Sequence, residues 1–271
     1  PYTTLFRSGL CMAWNCAANA MPDLKELSRP DGETIAYKAR EGKHPVVVWL
    51  GGFKSEMDGT KAEALDAWAA RGAHRYLRFD YFGHGRSSGD FRAGTISRWV
   101  DDTLAVLDGL TNGPQILVGS SMGGWLALLI ARSRPGKVAG LLLIAPAADF
   151  TEALLWARLP EAARNKIVEE GEWERPSAYD PMPYPITRGL IEDGRKHLLM
   201  GQAIRPGCPV RILQGMQDPD VPWEHALKLA RLIDGDVTLT LIGHGDHRLS
   251  SPENLRLIER TLDSLIADVT K

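Results

Sequence analysis

The sequence predicts an α/β fold: a mostly parallel central sheet flanked by helices, with a helical cap inserted late in the chain. Three observations carry that expectation. Short apolar runs alternate with segments of helical periodicity from Met21 onward, the order that parallel strands joined by crossover helices require. The chain has 271 residues, enough for one large domain whose sheet is buried on both faces. Finally, roughly 60 residues separate two late strands, far more than the usual connection of about 4 to 6 residues.

The elements follow in order. Val46 to Leu50 reads as a buried strand ending at Gly51-Gly52, and Lys61 to Arg71 as a helix closed by Gly72. His74 to Asp80 is a second strand. Ile96, Trp99, Val100, Leu104, Leu107 and Leu110 recur at helical spacing, with Thr95 as N-cap. Gln115 to Val118 is a short strand running into Gly119. Met122 to Arg134 forms a helix stopped by Pro135-Gly136, and Val138 to Ile144 the next strand. Helix-like pieces at Glu152 to Glu170 and Thr187 to Met200 then surround the Pro-rich PSAYDPMPYPIT. Strand Val210 to Leu213, helix Trp223 to Ile233, strand Val237 to Ile242 and helix Pro252 to Val269 complete the chain. The expected division is a core of residues 22–147 and 209–271, with a cap over 148–208.

Composition excludes several classes of function. Thirty-two basic residues against 34 acidic ones leave the chain near neutrality, and no dense Lys/Arg run suggests a nucleic-acid or polybasic membrane partner. The longest apolar runs, Trp125 to Ala131 and Val138 to Ala148, are too short to span a bilayer. Cys11, Cys16 and Cys208 make no disulfide framework, so a cytoplasmic or other reducing compartment is expected. No Cys/His spacing suits a metal, and no cofactor is expected. PYTTLFRS resembles translated adapter sequence, and GLCMAWNCAANA is only weakly signal-like. Residues 1–20 are therefore expected to be non-native or disordered, with Met21 as the native start.

Gly119-Ser120-Ser121-Met122-Gly123 matches G-x-S-x-G, which places a serine on a tight turn from strand to helix. The pattern alone arises by chance in about one chain in ten of this length, so its context decides. Here a strand precedes it and a helix follows. The free N–H groups of a helix N-terminus favour negative charge, making the Met122 N–H one candidate oxyanion donor. The second is the Phe53 N–H, because Gly51-Gly52 lets that loop approach the serine closely; Phe53 also suits a pocket wall. A serine hydroxyl needs a base, and the base an orienting acid. Asp218 and Asp220 both occupy the turn after strand Val210 to Leu213, and His244 and His247 both follow strand Val237 to Ile242. His84, in Gly83-His84-Gly85, is expected to shape the pocket, while His44, His74, His197 and His225 have no evident role.

WLGGFKSEMDGTKA, RFDYFGHGRSSG, GPQILVGSSMGGW, LQGMQDPDVPWEHA and GDHRLS resemble the α/β-hydrolase superfamily. Within it they resemble the animal mitochondrial palmitoyl-protein thioesterases of the α/β-hydrolase-domain group and their bacterial relatives. That group is also described as hydrolysing acyl glucuronides. The resemblance spans nearly all of residues 44 to 270 and is weakest in the cap. It implies the α/β-hydrolase fold, with Ser121 as nucleophile, Asp218 as acid and His247 as base. Asp220 then becomes a helix-capping residue ahead of Pro222, and His244 a loop residue. A mitochondrial location would follow for a eukaryotic relative.

The expected activity is hydrolysis of a carboxylic ester or thioester through an acyl-enzyme, the substrate being a small acyl compound or an acylated protein. A dehalogenase would need Asp where Ser121 stands. A perhydrolase or lyase could use the same three residues, and a non-catalytic binding protein could share the fold. In the cap, Leu154, Leu155, Trp156, Leu159, Trp173, Tyr179 and Tyr184 exceed what a solvated surface needs. Most are expected to pack the cap on the core, with Leu155 and Trp156 as candidate acyl-pocket residues.

Overall fold

A computed structural model describes residues 21–176 and 182–271; the expectations for residues 1–20 and Tyr179 lie outside them. The chain opens with β1 (Leu24–Ser28), β2 (Thr34–Arg40) and β3 (Lys43–Leu50), followed by α1 (Thr60–Gly72) and β4 (His74–Phe79). Next come α2 (Ile96–Leu110), β5 (Gln115–Ser120), α3 (Met122–Ser133) and β6 (Val138–Ile144). After the cap segment, β9 (Val210–Gly215), α6 (Trp223–Leu232), β10 (Val237–Ile242) and α7 (Pro252–Val269) finish the core. Eight strands form one sheet in the order β1-β2-β4-β3-β5-β6-β9-β10. From β4 to β10 every pairing is parallel, and only β1 and β2 run antiparallel to their neighbours.

The continuous apolar strands of the sequence are explained by burial on both faces. Val46, Val48 and Leu50 of β3 face one side with Leu117, Leu141 and Leu143, against α2, α3 and α6. Val47 and Trp49 face the other with Ile116, Val118, Leu142 and Ile144, against α1 and α7. The alternation is the period of two that a strand imposes. On the first of these faces α3 is buried from Met122 to Ala131, so its apolar residues form no stripe. Thr95 caps α2 as expected, its side chain accepting from the Arg98 N–H.

Two hairpins were not foreseen. β1 and β2 are joined by a turn at Arg29 to Glu33, where the Arg29 N–H donates to the Glu33 carbonyl (2.8 Å). The Pro30-Asp31-Gly32 sequence is the signal for it. The second corrects the helical cap. Its residues form a π-helical turn at Phe150–Leu155, a 3₁₀ turn at Trp156–Arg158 and α4 (Glu161–Glu170). An antiparallel pair follows, β7 (Glu172–Arg175) and β8 (Tyr184–Thr187), and then α5 (Arg188–Gly194). The helix expected over Glu152 to Glu170 is interrupted because Pro160 disfavours helical backbone at Leu159, which is extended.

The cap segment is tied down at its two ends. Asp149 is buried and adopts a left-handed conformation (φ 56°), which aspartate tolerates better than most residues. Its carboxylate accepts from the N–H groups of Leu199 and Met200, each at 2.8 Å, so the segment's first and last turns share one side chain. Burial raises the Asp149 pKa from its ordinary value, against the lowering effect of those two donors. Replacing it by alanine leaves two N–H groups without their acceptor, a loss of roughly 2 to 4 kcal/mol. Urea denaturation of Asp149→Ala should show that loss, with faster hydrogen exchange at Leu199 and Met200. A change below about 0.5 kcal/mol, ordinary for a surface position, would mean the two ends are held by something else.

Candidate active site

The sheet order reverses at β3: the chain places β4 on one side of it and β5 on the other. In open α/β sheets the crevice outside the strand C-termini at such a point is where ligands bind. The loop after β3 and the turn after β5 meet there. Leu50 pairs with Gly119, and Ser120 with Ile144, so the strand ends are in step.

Ser121 occupies the turn between β5 and α3 with φ 54° and ψ −117°, a conformation that costs a non-glycine residue of order 1 to 3 kcal/mol. The flanking glycines show why it is tolerated. A Cβ at Gly123 would overlap the Leu50 carbonyl oxygen, and one at Gly119 the Gly123 carbonyl oxygen. Gly52, in the loop after β3, comes so near that a Cβ there would lie 3.4 Å from the Ser121 Cβ. Among the described residues no hydrogen bond uses the N–H of Phe53 or of Met122, and both residues line the pocket beside Ser121.

His247 Nε2 lies 3.1 Å from Ser121 Oγ, and His247 Nδ1 lies 2.8 Å from Asp218 Oδ2. The Asp218 side chain is buried and fully engaged. Oδ1 accepts from the N–H groups of Asp220 (2.9 Å) and Val221 (2.8 Å), and Oδ2 also accepts from Gln214 Nε2 (3.1 Å). The structure therefore brings Ser121, His247 and Asp218 into one line. Their rivals stand apart. His244 is exposed, its Nδ1 3.4 Å from Gln217 Nε2. Asp220 does not cap a helix: α6 starts at Trp223, with Pro222 at the N-cap position and no side-chain cap. Its side chain instead lines the pocket, and Asp218, Asp220 and His247 bring ligand-type atoms within 4.8 Å of one another. Asp220 is thus a neighbour of the pair without being the residue bonded to His247 Nδ1.

The pocket over Ser121 measures about 540 Å³, an ordinary size for a small-molecule site. Leu155 lines it with Leu154, Leu159 and Phe150; Trp156 does not. The change from a π-helical to a 3₁₀ turn at residue 156 is responsible. It turns the Trp156 ring toward Arg164 and Arg195, whose guanidinium carbons lie 5.8 and 5.1 Å from its centre.

Two buried residues outside the line hold the loop after β3, and only one of them attracted notice in the sequence. Asp80 accepts from the N–H of Met57 (2.6 Å) at the loop's far end and from that of Arg86 (2.9 Å). His84 Nδ1 donates to the Phe82 carbonyl (3.1 Å), leaving Nε2 to accept the Lys54 N–H (3.0 Å). Lys54 adjoins Phe53, so His84 orients the loop that carries the candidate donor. The signal for Asp80 was its place at the end of a strand facing the glycine-rich loop. Phe53 itself packs against Phe91, Trp99, Phe150 and Tyr184 at 5.0 to 5.8 Å, joining loop, core and cap. His225 Nε2 donates to the Ala148 carbonyl at 2.8 Å and so ties α6 to the cap's root.

This strand order, elbow and hydrogen-bonded line define a class. A family model for the alpha/beta hydrolase family matches residues 47–256, and the chain belongs to that family. Among curated proteins it is similar to the mitochondrial palmitoyl-protein thioesterase ABHD10 of Homo sapiens, 38% identical over 255 residues that cover 93% of this chain and 83% of that one. The Mus musculus enzyme of the same name is 39% identical, with 93% and 86% covered. Among solved structures, a putative hydrolase from Agrobacterium vitis S4 superimposes with a TM-score of 0.86 at 44% identity, covering 90% of this chain and 99% of that one. The mouse alpha/beta hydrolase domain-containing protein 10 gives 0.83 at 38% identity, with 91% and 99% covered. No helix among the described residues is long and apolar enough to cross a membrane.

The His84 anchor has a pH signature. Burial lowers its pKa from 6.5 to about 4, so the imidazole is neutral at physiological pH, as an acceptor must be. The unfolded chain takes up this proton near 6.5 and the folded chain only near 4. Stability from this group is therefore complete above about pH 6.5 and lost progressively as the pH falls to 4, by roughly 3 kcal/mol in all. Urea titrations at pH 7 and pH 4.5 should show a smaller loss for His84→Gln than for the parent. Equal losses in the two proteins would remove His84 as the source.

Proposed function

We propose that the protein is a serine hydrolase that cleaves acyl thioesters and carboxylic esters through an acyl-enzyme. Ser121 is the nucleophile, His247 the general base and Asp218 the acid that orients it. The single observation that carries this reading is the unbroken line from Asp218 Oδ2 through His247 to Ser121 Oγ, ending on a strained elbow beneath a pocket. The thioesterase names of relatives at 38 to 39% identity support the thioester as substrate.

The steps follow from the geometry. Ser121 Oγ attacks the acyl carbon while His247 Nε2 takes its proton. Asp218, held by Gln214 and two backbone N–H groups, keeps the Nδ1 proton facing it and stabilises the imidazolium. The N–H groups of Met122 and Phe53 receive the developing oxyanion, where losing one donor typically costs about 100- to 1000-fold. The C–S or C–O bond breaks, the leaving thiol or alcohol takes the proton from His247, and the acyl group stays on Ser121. Water, deprotonated by His247, attacks the acyl carbon, and the proton returns to Ser121 Oγ as the acid leaves.

Ser121→Ala should keep the fold, judged by circular dichroism, while losing fluorophosphonate labelling and about 10⁴-fold or more of the esterase rate. Asp218→Asn should cost about as much, and Asp220→Asn far less. Near-normal turnover by folded Ser121→Ala would end this proposal; a severe Asp220→Asn beside a mild Asp218→Asn would reassign the acid.

We infer also that residues 148–208 act as the cap that selects the acyl group, favouring short to medium chains. Leu155 lines the pocket while Trp156 does not, which separates the two in a series of p-nitrophenyl esters. Leu155→Ala should move the optimum to longer chains; Trp156→Ala should leave it in place. A flat profile, or a larger shift from Trp156→Ala, would show that this wall does not set chain length.

A further inference from the structure

The pocket has two ends of different chemistry. Its apolar wall consists of Met122, Phe150, Leu154, Leu155 and Leu159, all buried. Its remaining lining carries five cationic side chains, Lys54, Lys61, Arg158, Arg175 and Arg248, against one carboxylate outside the triad, Asp220. The whole chain has a net charge of −2, so this excess is local. Lys54, Arg158 and Arg248 are exposed, which places positive charge at the solvent end.

These cations come from separate parts of the fold and converge around the nucleophile. Lys54 follows Phe53 in the oxyanion loop, and Arg248 follows His247. Arg158, from the cap, donates to the Asp220 carbonyl at 3.2 Å, beside the turn that carries Asp218. Arg175 and Lys54 both lie over the ring of Tyr184, at 5.9 and 5.6 Å from its centre, joining the cap hairpin to the oxyanion loop. Lys61 donates to the Arg248 carbonyl at 2.5 Å. A cleft lined by one sign of charge and walled by apolar side chains focuses its field on an incoming ligand.

We propose that this rim is a subsite for an anionic leaving group: the enzyme takes thioesters whose thiol part carries a phosphate or carboxylate, with the apolar acyl chain held at the buried end. The inference rests on the hydrolase reading above and adds the chemistry of the departing half. Placement at the solvent end suits a thiol that must leave after the first step, whereas the acyl group remains on Ser121. Arg158 and Arg175, reaching in from the cap, are its specificity-determining residues.

The test compares hexanoyl thioesters of N-acetylcysteamine (neutral), mercaptoacetate (a carboxylate near the sulfur) and coenzyme A (phosphates farther away). Each rate is corrected for spontaneous hydrolysis. At low ionic strength, kcat/KM should favour at least one anionic thioester over the neutral one by about tenfold or more. That preference should shrink toward one as salt is raised. Acceleration of the mercaptoacetate ester alone assigns the rim to a nearby carboxylate, and of the coenzyme A ester alone to remote phosphates. In Arg158→Gln/Arg175→Gln the anionic-to-neutral ratio should fall toward one; the salt dependence of the unaltered protein serves if that variant fails to fold. A ratio near one at low salt overturns the proposal, as does a preference for a succinyl over a hexanoyl group on neutral N-acetylcysteamine. Failure of the hydrolase reading looks different: none of the thioesters would be cleaved faster by the protein than by Ser121→Ala.

Discussion

The site depends on how closely the start of α3 approaches the ends of β3 and β5. Gly123 lies against the Leu50 carbonyl with no room for a side chain, and Gly119 lies against Gly123 in the same way. That contact bends the chain so sharply that Ser121 takes a positive φ. The strain is of order 1 to 3 kcal/mol, and the ten consecutive buried residues of α3 hold the helix in place against it. The same approach brings Gly52 into contact range of Ser121. One packing constraint thus sets the exposure of Ser121, the helix N-terminus beneath it and its distance from the loop that carries Phe53.

Around that contact, each loop is held by polar groups that take no part in the proposed chemistry. Gln214 and two backbone N–H groups hold Asp218. The Asp246 carboxylate accepts the Leu249 N–H at 2.8 Å and shapes the turn that presents His247. Asp80 and His84 hold the loop after β3. Fixed donors and acceptors need no reorganisation as charge develops, which is where most electrostatic stabilisation of a transition state originates. His84 illustrates the demand on such anchors: it accepts a backbone N–H only while neutral, and burial keeps it neutral.

The core was legible in the sequence because two strong patterns coincide there. Apolar strands buried on both faces read as unbroken runs, and Thr95, Gly72 and Pro135-Gly136 mark helix ends with known chemistry. Ser121 was legible because the elbow needs glycines at fixed offsets. Choosing Asp218 over Asp220, and His247 over His244, needed a family resemblance. Both aspartates lie two residues apart in one turn, and only three-dimensional direction separates the one facing His247 from the one facing the pocket. The β1–β2 and β7–β8 hairpins were missed for a different reason. Leu24–Ser28 is exposed at nearly every position and β7 has no buried residue, so neither shows the hydrophobic alternation that announces a strand. Trp156 stands out in the sequence for its apolar bulk, but nothing there announces the 3₁₀ turn at Trp156–Arg158 or a ring directed at Arg164 and Arg195.

The division of labour between core and cap follows from the same contacts. All the groups placed in the proposed acyl-transfer chemistry lie on loops at the C-terminal edge of the sheet or, for Met122, at the first residue of α3, with backbones pinned by sheet register and buried polar side chains. Four of the five residues proposed for the acyl wall, Phe150, Leu154, Leu155 and Leu159, and two of the cations, Arg158 and Arg175, come from the segment between β6 and β9. Asp149 ties that segment's two ends to each other, and His225 at its root and Phe53 against Tyr184 fasten it to the core. A substitution in the cap can alter the acyl wall or the charge at the rim without moving the Asp218–His247–Ser121 line. A substitution at Gly123 or His84 has no such freedom, because it acts on the turn that carries Ser121 and on the loop that carries Phe53 whatever the substrate. Likeness in the core therefore argues for the reaction, and the choice of substrate must be read from the side chains that this chain's own cap places over Ser121.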